Sequence, residues 1–278
     1  MDMSRANRAA QAIYTVLRFV RHPRYARSVI EPRVRLAARF MTQHRLGPLA
    51  AWRLSVIRPY TLLDFERLSA LRRLVERVIA DGVPGSLVEC GSWRGGSGAL
   101  IAATADRDRS RQVWLLDSWE GFPAPTSDLD VASNGFAGSA GECAAPRADA
   151  ERVLGLLRQR SEDVHLVEGW FEDTIPEVKE RMGQIALLHL DGDLYGSTKT
   201  CLEELYPSVV SGGFVVIDDY GDWEGCRKAV DDYLAAHEIV VDLVEVDWTG
   251  VFFQKPAGPP AGPADDQGRR GRTATPMR

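Results

Sequence analysis

Two rhythms of apolar positions alternate between residues 61 and 255. Short, largely apolar runs read as strands: Ser86–Cys90, Gln112–Asp117, His165–Glu168, Ile185–Asp191 and Gly213–Asp218, the last two continuously apolar and ending in acids. An unbroken apolar run is what a parallel strand covered on both faces requires. Two further runs, Ile239–Glu245 and Thr249–Lys255, predict a closing antiparallel pair. Between the strands, apolar residues recur at helical spacing. Leu68, Leu71, Val75 and Val78 mark one helix, opened by a capping box at Thr61–Asp64 and closed near Asp81-Gly82. Further helices are predicted at 99–104, 148–160, 197–208 and 223–236. Strands alternating with helices predict an α/β fold, a doubly wound and mostly parallel seven-stranded sheet with right-handed crossovers. Residues 118–147 carry no periodicity and form a long polar loop, able to close over a ligand.

Composition adds boundaries. Of the 278 residues, 45% are apolar and 26% charged, as in an ordinary globular protein. The net charge of −5 conceals a split. Residues 1–60 hold twelve Arg against Asp2 and Glu31, and are read as a basic helical extension acting as a lid or oligomer contact. The acidic balance of the remainder argues against nucleic acid as a partner. The Gly/Pro-rich residues 256–278 lack apolar anchors and are expected to be disordered. The four cysteines (Cys90, Cys143, Cys201, Cys226) form neither a zinc pattern nor a disulfide framework, consistent with free thiols in the cytoplasm. No apolar stretch is long enough to span a membrane, and no secretory signal is evident.

The polar residues that stand out lie where strands end, the place where open α/β sheets bind ligands. After the first strand comes Glu89-Cys-Gly-Ser-Trp-Arg-Gly-Gly-Ser97. Its glycines permit a tight turn ahead of a helix N-terminus, although the spacing is not the GxGxxG dinucleotide fingerprint. The second strand ends in Asp117, a position suited to ribose hydroxyls or to capping a loop. Together Glu89 and Asp117 indicate a nucleoside ligand without choosing which. Four carboxylates, Asp191, Asp193, Asp218 and Asp219, follow the next two strands. Such a cluster would repel itself in a cleft unless a cation sat among them, and a hard ion such as Mg²⁺ takes oxygen ligands of this kind.

These segments, with Leu116–Pro123 (LDSWEGFP), Val167–Thr174 (VEGWFEDT) and Ile217–Gly221 (IDDYG), resemble the macrocin O-methyltransferase (TylF-type) family over residues 61–255. The resemblance implies a class I S-adenosylmethionine (SAM)-dependent fold, SAM and Mg²⁺ as cofactors, and a sugar hydroxyl of a glycosylated natural product as acceptor. It implies that Glu89, Gly91, Trp93 and Ser97 line the methionine end of SAM and that Asp117 and Ser118 hold its ribose. It further implies that Gly169, Trp170 and Phe171 border the adenine and that Asp191, Asp218 and Asp219 bind Mg²⁺. Asp193 is expected as the catalytic base, with Asp191 able to exchange roles with it; His189 is expected in the core. A small glycoside is the expected partner, with a homo-oligomer as the assembly. The alternatives are a catechol-type O-methyltransferase acting on a phenol and an NAD-dependent enzyme of similar fold.

Overall fold

The computed structural model describes residues 34–42, 46–106, 111–124, 128–160 and 162–256. Most of the basic N-terminal extension and nearly all of the C-terminal tail therefore lie outside the described residues. Helix α1 (Pro48–Ile57) begins at a proline, whose missing N–H costs nothing in a first turn. It buries Ala51, Leu54, Val56 and Ile57. Helix α2 (Phe65–Ala80) starts at Asp64, whose carboxylate accepts from the Arg67 N–H at 3.1 Å. Strand β1 (Ser86–Cys90) leads into α3 (Gly96–Ala105), and β2 (Val113–Asp117) into the long loop and α4 (Arg147–Leu156). Then follow β3 (Val164–Glu168), α5 (Phe171–Met182), β4 (Ile185–Leu190), α6 (Tyr195–Leu205), β5 (Val209–Ile217) and α7 (Glu224–Ala236). Strands β6 (Val244–Glu245) and β7 (Val251–Gln254) close the chain.

The seven strands form one sheet in the order β3-β2-β1-β4-β5-β7-β6. Strands β1 to β5 are parallel, while β7 runs antiparallel to β5 and to β6, so the sheet is mixed at one edge. The order reverses between β1 and β4, which opens a crevice at their carboxyl ends. Each face of the sheet carries its own core. Leu87, Leu115, Leu187 and Phe214 meet α1 to α4, and Val88, Leu116, Leu188 and Val215 meet α5 to α7.

Two elements depart from the sequence reading. Helix α5 was not predicted: Pro176 lies inside it, and proline reads as a helix breaker. Ile175, Val178 and Met182 bury one side of that helix and hold it in place despite the lost hydrogen bond. Strand β6 is two residues long rather than seven, because Ile239–Leu243 pass alongside the core without pairing.

Candidate active site

A cavity of about 510 Å³ opens at the carboxyl ends of β1, β2, β4 and β5. The turn after β1 requires glycine. Gly91 has φ +90°, and a methyl group on it would lie 1.7 Å from the Asp191 carbonyl oxygen. This close approach brings the ends of β1 and β4 together and lets Gly91, Ser92, Trp93 and Ser97 line one part of the cavity. Ser97 sits in the first turn of α3, where backbone N–H groups have no helical acceptor. The Ser92 hydroxyl is buried and has no hydrogen-bond partner among the described residues, an orphan that a polar ligand would satisfy.

Asp117 closes this side. Its Oδ2 accepts from the Ser92 and Trp93 N–H groups, both at 2.7 Å, and its Oδ1 from Trp119 N–H at 2.6 Å. Burial raises its pKa and the three N–H donors oppose the rise. The carboxylate thus fastens the glycine loop to β2 while still facing the cavity. The Ser118 hydroxyl accepts from Glu120 N–H at 3.1 Å and also lines the wall. Gly169, with φ +138°, bonds its N–H to the Asp117 carbonyl at 3.0 Å and carries Trp170 and Phe171, which face the same space.

Glu89 is placed differently from the others. It is fully buried beneath the cavity rather than in its wall. It pairs across the sheet with His189, and its Oε1 lies 3.1 Å from His189 Nδ1. His189 Nε2 is 3.8 Å from Asp218 Oδ1, within ion-pair reach but beyond a hydrogen bond. Burial works to lower the His189 pKa, yet the Asp218 and Glu89 carboxylates outweigh it and raise it to about 9. His189 is a core residue, as expected, and it underpins the acidic end of the site.

That end collects four carboxylates. Oxygens of Asp191, Asp193 and Asp219 lie within 4.8 Å of one another. Burial, then repulsion from neighbouring acids, raises the pKa of Asp191 and Asp219 well above the usual carboxylate range. The same causes push Asp193 up to about 7. Asp193 also has φ +55°, a left-handed conformation that L-residues rarely adopt, and its N–H donates to Asp219 Oδ2 at 3.2 Å. Asp218 lines the cavity beside them but is engaged by Arg67, whose Nη1 contacts its Oδ2.

Arg67, from α2, was not anticipated as a site residue. Its Nε lies 3.3 Å from Asp247 Oδ2 and 3.8 Å from Asp64 Oδ1. Burial would lower its pKa, but Asp218 and Asp191 lead the carboxylates that raise it. An arginine among helical positions reads as solvated surface, so the sequence held no sign of this. Phe122 and Trp223 also line the cavity unannounced, since the first lies in the aperiodic loop and the second had been assigned to a helix.

The loop itself is folded onto the start of α7. Ala132 bridges Trp223, Ser133 N–H bonds the Asp222 carbonyl at 2.8 Å, and buried Asp130 accepts from Tyr195 N–H at 2.9 Å.

Comparison with known proteins fits this geometry. The model of the macrocin-O-methyltransferase (TylF) family matches residues 50–255. The 8-demethyl-8-(2,3-dimethoxy-alpha-L-rhamnosyl)-tetracenomycin-C 4'-O-methyltransferase of Streptomyces olivaceus is 42% identical, over 71% of this chain and 76% of its own. The mycinamicin III 3''-O-methyltransferase of Micromonospora griseorubida is 35% identical, over 71% of this chain and 79% of its own. Among solved structures, that of the O-methyltransferase NovP is similar with a TM-score of 0.63 and 36% identity, covering 71% of this chain and 83% of that one. The fold is that of the class I SAM-dependent O-methyltransferases, and the protein is an O-methyltransferase. The chain belongs to the macrocin-O-methyltransferase (TylF) family.

Proposed function

We propose that the protein transfers a methyl group from SAM to a sugar hydroxyl of a glycosylated natural product, with Mg²⁺ held by the carboxylate cluster. The observation that carries this reading is the gathering of Asp191, Asp193, Asp218 and Asp219 at one end of the cavity, with oxygens of Asp191, Asp193 and Asp219 within 4.8 Å of one another. Asp191 and Asp219, both disfavoured as anions by burial and by their neighbours, offer hard oxygen donors that suit a divalent cation. Relatives named for methylation of a rhamnosyl tetracenomycin and of mycinamicin support a sugar acceptor in antibiotic biosynthesis. A phenolic acceptor has no observation in its favour.

In this reading Asp191, Asp218 and Asp219 would hold the ion, and Arg67 holds the Asp218 carboxylate in place. Mg²⁺ so held would supply positive charge that makes a sugar hydroxyl more acidic. Asp193, held in its left-handed turn beside Asp219, accepts the hydroxyl proton as the oxygen attacks the sulfonium methyl. The carbon–oxygen bond forms as the carbon–sulfur bond breaks, leaving S-adenosylhomocysteine. Gly91, Ser92, Trp93 and Ser97 receive the methionine end of SAM, Asp117 and Ser118 the ribose, and Gly169, Trp170 and Phe171 the adenine. Glu89 supports that floor from below through His189. The same reading divides the chain into a basic extension (1–60) offered as a lid or a contact between copies, a catalytic domain (61–255) and a C-terminal tail (256–278).

The test is calorimetric titration of SAM into EDTA-treated protein, followed by methyl-transfer assays on glycosides with and without Mg²⁺. SAM binding without metal, and transfer only with it, is the expected result. Equal transfer in EDTA would remove the ion from the scheme.

A further inference from the structure

The cavity wall combines polar and apolar residues. The turns after β1 and β2 contribute Gly91, Ser92, Trp93, Asp117 and Ser118. Its apolar lining includes Phe122, Pro123 and Trp223, contributed by two loops, and Leu62 and Leu63 from the segment before α2. Nothing in the handling of SAM or of the ion uses this apolar part.

Trp223 is tied to the acid cluster by the backbone. Its N–H bonds the Asp219 carbonyl at 2.9 Å, and the Asp222 N–H bonds the same oxygen at 3.1 Å. The turn therefore fixes the Trp223 backbone relative to that of Asp219. Two phenyl rings stand nearly perpendicular to it, Phe122 at 5.6 Å and 81° and Phe136 at 6.1 Å and 80°. Gly138 packs on this group so closely that a methyl group there would meet Phe122 at 2.7 Å and Trp223 at 3.4 Å. The folded loop thus holds Phe122 and Trp223 in place from behind, and only those two of the three rings reach the cavity.

A pyranose has an edge of hydroxyls and faces of C–H groups. An aromatic wall beside a row of carboxylates matches both surfaces, since the ring's electron-rich face attracts polarised C–H groups and competes for no hydroxyl. We propose that Trp223 and Phe122 form the acceptor platform, receiving the C–H face of the sugar ring while its hydroxyl edge is turned to Asp191, Asp193 and Asp219. This inference rests on the sugar-acceptor reading above and adds the residues that select for it. An acceptor held this way presents its hydroxyls at one angle to the acids, so the platform governs which hydroxyl is methylated as well as how tightly the sugar binds.

The test is equilibrium binding of phenyl α-L-rhamnopyranoside to the full chain with Mg²⁺ and S-adenosylhomocysteine present. Trp223→Leu and Phe122→Leu are each expected to weaken this binding about tenfold, the scale of a lost aromatic contact. SAM and Mg²⁺ affinities should stay at wild-type values, and Trp223→Phe should recover most of the loss. Phe122 is only half-buried, so its variant guards against misfolding of the Trp223 variant. Saturation-transfer NMR should show the ring C–H protons of the glycoside closest to the wild-type protein. Unchanged rhamnoside binding in both leucine variants overturns the platform, as does an equal loss of SAM affinity, which would make the rings mere support. If the wild type binds SAM but no glycoside, the sugar reading falls and the platform falls with it.

Discussion

Asp191 and Asp193 stand two residues apart, yet the structure gives them different surroundings. Asp191 follows β4 directly and donates its N–H to the Cys90 carbonyl at 2.8 Å, so it is part of the strand end. Asp193 sits in a left-handed turn with its N–H on Asp219. On the proposed mechanism their conservative variants should fail differently. Asp191→Asn should lose turnover and Mg²⁺ binding while keeping SAM affinity. Asp193→Asn should keep both ligands and lose about 10²–10⁴ in turnover, the usual contribution of a general base. Calorimetry with each ligand beside a single-turnover assay separates the two, and identical binding profiles would remove the division of roles. At this scale the acids were legible because charge at the end of an apolar run is conspicuous. Glu89 was legible as a site residue but not as one lying under the floor. A strand buried on both faces carries no alternation to say which side chains reach the cavity.

Helix α2 shows how an element delivers a residue. Asp64 caps it through the Arg67 N–H and also lies 3.8 Å from the Arg67 guanidinium. Asp64→Ala removes the cap, and about 1 kcal/mol of stability should go with it. Urea unfolding should show a lower midpoint at unchanged slope, since the exposed surface on unfolding is the same. An unchanged midpoint would mean that the cap contributes nothing in this setting. The apolar stripe of α2 was plain in the sequence, whereas the inward course of Arg67 depended on Gly250, whose missing side chain leaves room for the arginine's stem. The opposite failure occurs at α5, where Pro176 hid a helix that packing sustains.

For the molecule as a whole, the acid cluster sets a pH-dependent cost. Carboxyls with folded pKa values raised above the unfolded value of about 3.9 destabilise progressively as pH rises from that value past the folded one. Asp193, at about 7, carries its share of this fall up to neutrality. With EDTA present, thermal stability should fall between pH 5 and pH 8 as a result. Mg²⁺ should raise Tm by several degrees at pH 8, on the order expected for a ligand that binds only the folded state. The rise should be small at pH 5, where protonated acids no longer need the charge. A thermal-shift series across that range decides it, and no Mg²⁺ effect at pH 8 would count against the cation site. Among the described residues, no helix is long and apolar enough to cross a membrane.

By itself the sequence determined the succession of strands and of the helices other than α5, the doubly wound class and the strand ends at which chemistry gathers. Those are properties of local periodicity and of acids placed after apolar runs, and neighbouring residues suffice to define them. Tertiary structure alone decided that Arg67 meets Asp218 across 151 positions, that His189 links Glu89 to the acid cluster, and that Phe122 meets Trp223 beside the carboxylates. These are contacts between distant segments. They arise from the sheet order 3-2-1-4-5 and from the folding of the loop onto α7, which no local pattern of hydrophobicity encodes.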